Sequence, residues 1–244
     1  MNIILNDILG YIILFGIIAS YIFQYVKIIR NKSSDGISEL FIILGYIGSI
    51  SSWNNAYIFY LPEYTDCSGY NQCSSEILGF LQLFSQWLCF LVLYIVFLFF
   101  YQNRKWKSWA FFVCCNLLLI SVFVVTYIIS KKIIDYVIID TYADVLSTVT
   151  STMVVIQYLP QIYVTFRDKD PGSLSLIMLL IQCPGSYIWT IFLALQDGSN
   201  YSTWIPFAIT GTLQLILLGM GFYFSRVNKN SYLKLNAREN LLAY

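Results

Sequence analysis

The 244-residue sequence contains no histidine, and charged residues occupy only 11% of its positions. An average soluble domain has about 25% charged residues. The absence of histidine excludes a Ser-His-Asp triad, a Cys-His pair and a histidine metal site. A pair of carboxylates inside the apolar runs is also missing, because Glu39, Glu76 and Asp144 lie near the ends of those runs. We therefore predict no enzyme activity, no cofactor and no bound metal.

Hydrophobic residues occupy 58% of the chain and form runs that are nearly free of charge. Each run is close to the roughly 20 residues that a helix needs to cross the hydrocarbon layer. Strands of a membrane barrel would alternate apolar and polar residues, and these runs do not. We predict an all-α membrane protein, with the lipid bilayer and no nucleic acid as partner. Its seven transmembrane helices are expected at 8–29, 40–60, 77–101, 109–129, 145–166, 174–195 and 204–224.

The positions of lysine and arginine predict the orientation of the chain. Of the 14 basic residues, all except Lys131 and Lys132 lie on one side of the predicted membrane. Basic residues are retained on the cytosolic side, so the N-terminus is non-cytosolic and the C-terminus cytosolic. The loop after the second span then lies where disulfides persist, and we predict a bridge between Cys67 and Cys73. Two free thiols are the alternative.

The two halves of the sequence resemble each other. An offset of 137 positions pairs Gln24 with Gln161 and Ser38 with Ser175, without a gap. Each half crosses the membrane three times and ends on the side opposite to its start. One further crossing returns the chain to the starting side, so the second half has the same orientation as the first. We predict two parallel three-helix repeats joined by a linker helix, a 3+1+3 layout that transporters use. A duplication that only builds a stable bundle is the alternative. The units are a first repeat at 1–103, the linker helix at 104–135, a second repeat at 136–225 and a cytosolic tail at 226–244.

A short motif recurs in the two halves, as Tyr21-Ile22-Phe23-Gln24 and as Tyr158-Leu159-Pro160-Gln161, each followed by a serine fourteen positions after its glutamine. The chain here resembles the PQ-loop family, which includes cystinosin, the lysosomal cationic amino-acid exporters and, more distantly, the SWEET sugar transporters. The second copy matches closely. In the first copy, Phe23 stands where the family has proline. The resemblance implies membrane transport, with these motifs acting as hinges.

Pro160 carries a physical consequence that does not depend on the resemblance. Proline removes one backbone hydrogen bond and clashes with the preceding turn, so the helix should kink or loosen there. Gln161 is then placed to reach the freed carbonyl. Phe23 cannot supply the same break, so we expect any hinge motion to be lopsided. A static kink that only shapes the bundle is the alternative.

Polar and aromatic side chains within the spans are the candidates for solute binding, since each polar one needs a partner or a water-filled cavity. Trp53 and Trp189 lie one position away from equivalence in the two repeats. Together with amides they could hold a neutral polar solute by stacking and hydrogen bonding, similar to the SWEET arrangement. Filling of a groove between helices is the alternative. The substrate-binding candidates are Trp53, Asn54, Gln82, Gln86, Gln157, Gln182 and Trp189.

The resemblance also bears on coupling to protons. In cystinosin-like transporters an acidic residue, about two turns after the serine that follows the motif, carries the coupling proton. The corresponding residue here is Gln182, whose amide does not titrate. We therefore expect facilitated, proton-independent movement of a small polar solute, an amino acid, sugar or related metabolite. A non-transporting receptor or adaptor, or a regulator of lipid arrangement in endosomal membranes, is the alternative on the same fold.

The tail contains Tyr232-Leu233-Lys234-Leu235, which resembles the signals of tyrosine and a bulky apolar residue that sorting adaptors bind. We predict that Tyr232 and Leu235 bind such an adaptor and direct the protein to endosomes, lysosomes or the vacuole. The Golgi, the endoplasmic reticulum and the plasma membrane are the alternative locations.

Overall fold

The computed structural model describes residues 3–66, 70–101, 105–132, 136–194 and 201–242. Every regular element in these ranges is an α-helix. The helices are α1 (Ile3–Asn31), α2 (Glu39–Asp66), α3 (Tyr70–Phe100), α4 (Lys105–Lys132), α5 (Tyr136–Ile156), α6 (Tyr158–Asp168), α7 (Leu176–Ala194) and α8 (Tyr201–Leu242). The predicted all-helical class is therefore confirmed.

Five helical stretches within the described residues are long and apolar enough to cross a membrane. Helix α7 adds a shorter apolar stretch, Leu176–Ile191. Helix α2 contains the second predicted span, but two asparagines and three serines between positions 49 and 55 reduce its hydropathy. The chain is an integral membrane protein, and the count of seven spans stays a prediction. The five stretches are Gly10–Asn31, Leu78–Phe100, Trp106–Ile129, Val137–Asp168 and Ile205–Asn228.

The fifth predicted span differs from the observed helix at its start. We placed the start at Val145, whereas α5 begins at Tyr136. The polar side chains that suggested an end are tolerated inside the helix, since Thr141 and Asp144 are exposed. The hydroxyl of Thr141 also donates to the Val137 carbonyl over 2.7 Å. Asp144 therefore lies two turns inside α5, and its position relative to the membrane stays a prediction.

The same span is interrupted at Gln157, three residues before Pro160. Pro160 has no N–H to donate to the Ile156 carbonyl, which weakens the helix at this point. Gln157 keeps helical dihedral angles (φ −57°, ψ −33°), so the interruption lies in the hydrogen bonding. Helix α1 runs through Phe23 without a break. The predicted loosening is confirmed, and it occurs only in the second half of the chain.

The helices pack as two groups. Helix α3 packs against both α1 and α2, and α8 packs in the same way against α7 and the α5–α6 pair. Between the groups, α1 lies against α7 and α2 lies against α5 and α6, while α4 packs on α2 and α3. The centre is filled by fully buried side chains from both groups, including Tyr46, Tyr94, Phe97, Leu179 and Leu217.

Two short loops, 32–38 and 169–175, meet at one end of the bundle. Each begins with a lysine in the left-handed conformation, Lys32 at φ 50° and Lys169 at φ 51°. A residue in this conformation is a common way to end a helix. Because the two loops lie together, the C-terminal ends of α1 and α6 are at the same end of the bundle, and the two helices run in the same direction.

Candidate functional site

Gln24 joins the first half of the chain to the loop of the second half. Its side chain is 1% exposed near the end of α1. The amide Nε2 donates to the Ser173 carbonyl over 2.9 Å, and Oε1 accepts the Ser175 backbone N–H over 2.6 Å. One amide thus satisfies a donor and an acceptor in the loop that leads into α7.

Gln161 makes the equivalent contacts in the opposite direction. Its Oε1 accepts the Ser38 N–H over 2.7 Å, and its Nε2 donates to the Gly36 carbonyl over 2.7 Å. The expectation that Gln161 reaches the carbonyl freed in its own helix was wrong. The first N–H groups of a helix have no partner within the helix, and Ser38, just before α2, presents such a donor. We call Gln24 and Gln161 with these bonds the reciprocal clamps.

The serines held by the reciprocal clamps also cap the following helices. Ser38 Oγ accepts the Phe41 N–H over 3.4 Å, and Ser175 Oγ accepts the Met178 N–H over 3.2 Å. A serine in this position stabilises a helix start because it satisfies one of the unpaired N–H groups. Each clamp therefore fixes the residue that begins α2 or α7.

Glycine allows the two loops to touch. A methyl group added at Gly36 (φ 83°) would lie 2.8 Å from Gly172 Cα, and one added at Gly172 (φ 53°) would lie 2.5 Å from the Asp35 carbonyl oxygen. The Ser173 N–H donates to that same carbonyl over 2.8 Å. Lys27 adds a contact across the halves, since its Nζ donates to the Leu174 carbonyl over 2.5 Å. The bundle is closed at this end.

A chain of uncharged polar groups runs through the interior next to the clamps. Gln182 Nε2 donates to Ser20 Oγ over 3.1 Å, which joins α7 to α1. Ser186, one turn further along α7, donates to Gln214 Oε1 over 2.9 Å. Gln214 Nε2 in turn donates to the Tyr158 hydroxyl over 2.6 Å, next to the interruption at Gln157. These amides and hydroxyls can exchange hydrogen bonds with a polar solute and offer it no charge.

The other predicted amides lie at separate places. Gln157 is 4% exposed, and its Oε1 has no partner among the described residues. Gln82 is buried and donates to the Gly10 carbonyl over 2.8 Å, which joins α3 to α1. Gln86, one turn further, is half-buried. Asn54 is fully buried and donates to the Ile50 carbonyl over 2.9 Å, while its Oδ1 has no described partner.

The two predicted tryptophans have different surroundings. The Trp53 ring stacks on Trp87 of α3 at 5.2 Å and on Phe123 of α4 at 5.4 Å, measured between ring centroids. Trp189 packs against Phe207 of α8 at 6.4 Å. Trp53 therefore packs between α3 and α4. The described ring contacts do not bring the two tryptophans together, and their role toward a solute stays a prediction.

The sequence analysis missed several residues of this site. Ser20, Gly36, Tyr158, Ser173 and Ser186 were not among the candidates, although the equivalence of Tyr21 with Tyr158 was a usable signal. The predicted Cys67–Cys73 disulfide and the side chains of Tyr232 and Leu235 lie outside the described residues. Within the described part of the chain, no group of histidine, cysteine or acidic side chains could hold a metal ion.

The chain is an integral membrane protein, as its apolar helices show. It is built on a duplicated helical unit, since its sequence repeats and its two halves exchange equivalent contacts. The model of the PQ loop repeat matches residues 5–64 and 142–202. The chain belongs to the PQ-loop repeat family, and the two matched ranges confirm the internal repeat.

Two known proteins illustrate the relationship. An uncharacterized protein of Schizosaccharomyces pombe is 26% identical over 256 residues, which cover 89% of this chain and 80% of that protein. The solved structure of a eukaryotic SWEET transporter superposes with a TM-score of 0.51 at 14% identity, covering 91% of this chain and 99% of that one. At this identity the likeness concerns the fold.

Proposed function

We propose that this chain is a PQ-loop transporter that moves a small polar solute, an amino acid, a sugar or a related metabolite, across a membrane by facilitated diffusion. The observation that carries the proposal is the pair of reciprocal clamps at one end of a bundle whose interior holds uncharged polar groups. Alternating access requires a polar site with a gate on each side of it, and the reciprocal clamps are suited to be the gate on one side.

The reciprocal clamps are suited to open and close. They comprise four hydrogen bonds, each with a net contribution of about 0.5–1.5 kcal/mol, so opening would cost about 2–6 kcal/mol. Conformations that exchange during function typically differ by a few kcal/mol. The interruption at Gln157 separates α6, which carries Gln161, from α5. We propose that α6 moves relative to α5 at this point and that the unbroken α1, with Phe23 and Gln24, moves as a rigid body.

We also propose the layout and orientation of the chain. Residues 1–103 and 136–225 form parallel repeats, 104–135 form the linker helix, and 226–244 form a cytosolic tail. The packing of α4 on α2 and α3 supports this division. The loops that meet at the clamps carry basic residues, which supports a cytosolic position for this end. The clamps would then close the cytosolic side and leave the opposite side free to open.

The interior favours a solute without net charge. Ser20, Gln182, Ser186 and Gln214 contribute only amides and hydroxyls, and a charged solute would lose its hydration without gaining a counter-ion. Gln182 stands where cystinosin-like transporters have an acidic residue, and it donates or accepts hydrogen bonds with the solute. Transport independent of protons follows, because none of these four groups gains or loses a proton near neutral pH.

Uptake by proteoliposomes that contain only this chain tests the proposal. The panel comprises the standard amino acids and common hexoses and pentoses, with protein-free liposomes as the blank. We expect saturable uptake of at least one solute and its loss in Gln24→Leu combined with Gln161→Leu. Phe23→Ala is the control, since the Phe23 side chain is 42% exposed. Absence of uptake across the panel would favour the receptor or adaptor alternative.

We propose an endosomal, lysosomal or vacuolar location, directed by Tyr232 and Leu235. Replacement of Tyr232 by Ala should move a fluorescent fusion to the plasma membrane, whereas Lys234→Ala should not. An unchanged location in Tyr232→Ala would contradict the role of this signal.

A further inference from the structure

The start of α4 lies at the same end of the bundle as the reciprocal clamps. Where α3 packs on α1, Gln82 bonds to Gly10 and the Phe90 ring contacts the Tyr21 ring at 5.2 Å between centroids. Later residues of α3 thus meet later residues of α1, so the two helices run in the same direction. Helix α4 begins at Lys105, five positions after the last residue of α3. Its first turn is therefore at the clamped end.

This first turn carries a large apolar side chain that the protein leaves uncovered. Trp106 is 84% exposed, and Phe99, near the end of α3, is 67% exposed. The stretch of α4 that is apolar enough to cross a membrane begins at Trp106. Tryptophan is enriched where the hydrocarbon layer meets the lipid headgroups, because its ring is apolar and its N–H is polar. The Trp106 ring therefore lies at the level of the headgroups.

A basic segment, residues 104–107, surrounds this side chain with the sequence Arg-Lys-Trp-Lys. Lys107 is exposed, and the first turn of α4 contains no acidic residue. No aspartate or glutamate occurs between Glu76 and Asp135. Glu39, at the start of the neighbouring α2, forms no ion pair with Lys107 within the described residues. Since the N-terminal end of a helix also carries partial positive charge, the positive potential here is not balanced by the chain.

The other basic segments at this end have acidic residues nearby. Arg167 Nε lies 2.7 Å from Asp168 Oδ1, in the one ion pair found in the described part of the chain. Asp35 follows Lys32 by three positions, and the tail contains Glu239. The basic segment has no such neighbour in the sequence, so the negative charge that balances it comes from outside the chain.

We propose that the basic segment, with Trp106 at its centre and Phe99 beside it, is a docking surface for anionic phospholipids of the cytosolic leaflet. The cations pair with the negative headgroup, while the two rings contact the upper part of the acyl chains. The partner follows from charge, because the lipids of that leaflet supply the negative charge that the chain lacks here. The proposal rests on the proposed orientation and involves neither the solute nor the clamps.

Quenching of tryptophan fluorescence by brominated lipids tests which lipid contacts Trp106. The protein is placed in phosphatidylcholine liposomes that contain a fixed fraction of brominated phosphatidylserine or of brominated phosphatidylcholine, with bromine near the carboxyl ends of the acyl chains. The difference between the native protein and Trp106→Phe isolates Trp106 among the six tryptophans. We expect phosphatidylserine, which carries a net negative charge, to quench Trp106 severalfold more strongly than phosphatidylcholine.

Removing the charges of the basic segment should abolish this preference and preserve the contact with lipid. The variant combines Arg104→Gln, Lys105→Gln and Lys107→Gln. We expect quenching by phosphatidylserine to fall to the level of phosphatidylcholine, whose own quenching stays the same because Trp106 is unchanged. A matched control removes three cations from the tail at the same end and should keep the preference. It combines Arg226→Gln, Lys229→Gln and Lys234→Gln.

Equal quenching of Trp106 by the two lipids, or quenching by neither, would overturn the docking surface. A preference that survives in the variant of the basic segment would overturn it as well. If the tail variant also lost the preference, the lipid would be attracted by the overall charge of this end, and the basic segment would not be a site. Both leaflets of these liposomes contain the brominated lipid, so the result depends neither on transport nor on the orientation, which cysteines at Asp35 and Arg167 test separately.

Discussion

Ser38 and Gln161 are 123 positions apart, yet the Ser38 backbone N–H donates to Gln161 Oε1 over 2.7 Å. Ser38 also caps α2 through its hydroxyl, so the start of one repeat's second helix is fixed by a side chain of the other repeat. A movement of Gln161 therefore changes the position of α2 as well as the spacing of the loops. If the clamps open as proposed, α2, which packs against α5, should move with them.

Gln161→Glu should weaken the clamp while it preserves the shape of the side chain. The carboxylate can still accept the Ser38 N–H, but it repels the Gly36 carbonyl where the amide donated. We expect a loss of about 1–3 kcal/mol in the free energy of unfolding. A cysteine at Ser34, which is 1% exposed in the clamped loop, should react faster with a thiol reagent. Equal reaction rates with and without Gln161→Glu would contradict the gate.

Pro160→Ala should stiffen the interrupted helix. Alanine restores the N–H that can pair with the Ile156 carbonyl, and removal of a proline from a helix interior is worth up to about 3 kcal/mol. We expect an equal or higher unfolding temperature and uptake reduced severalfold. Phe23→Ala in the equivalent position of α1 should change neither quantity. A Pro160→Ala protein with full uptake would mean that the interruption only shapes the bundle.

Gly36→Ala and Gly185→Ala should have opposite effects on stability. At Gly36 the positive φ costs about 1–2 kcal/mol for alanine, and the contact with Gly172 adds to it. Gly185 lies inside α7 with no described atom within 4 Å of an added methyl group, so alanine should stabilise by about 0.5–1 kcal/mol. The unfolding temperature measured in detergent should fall in Gly36→Ala and rise in Gly185→Ala. Equal effects at both positions would contradict the contact between the loops.

Gln182→Glu should make transport sensitive to pH. Ser20, Gln182, Ser186 and Gln214 do not exchange protons near neutral pH, so we expect an imposed pH gradient to leave solute accumulation in the native protein unchanged. A carboxyl group at this position is surrounded by uncharged side chains and can exchange a proton during transport. We expect accumulation to follow the gradient only in Gln182→Glu. Accumulation driven by the gradient in the native protein would place a proton carrier elsewhere, with Glu39 the first residue to replace by Gln.

The parallel orientation predicts where single cysteines react. Asp35 and Arg167 are both exposed at the end that carries the clamps. Cysteines placed at Asp35 and at Arg167 should react with an impermeant reagent only after the cytosolic face is made accessible. If one cysteine reacted from the outer side and the other from the cytosolic side, the parallel repeats would be contradicted. If both reacted from the outer side, the predicted orientation would be the reverse of the true one.

Much of the fold followed from the sequence because it depends on composition. Apolar runs of membrane length define the helices, and the offset between Gln24 and Gln161 reveals the repeat. The start of α5 did not follow, since Asp144 and its polar neighbours are tolerated on an exposed helix face. The interruption near Pro160 agrees with the missing N–H of proline. Helix α7 nevertheless continues through Pro184 and α8 through Pro206, so a missing N–H alone does not determine whether a helix is interrupted.

The partners of the site residues were less predictable. A glutamine can bond within its own helix or to another segment, and only the packing of the halves determines that Gln161 bonds to Ser38. Trp53 illustrates the same limit, because its sequence position does not reveal whether it faces the centre or α4.

The reciprocal clamps also impose an order in time on the synthesis of the protein. Gln24 is made early, but its partners Ser173 and Ser175 are translated about 150 residues later. Until then the polar groups of the first loop must form hydrogen bonds with water or with the insertion machinery. Helix α4 can already pack on α2 and α3 at that stage. The clamps can therefore form only after the second loop has been made, and the packing of α8 on α7 has to follow that step.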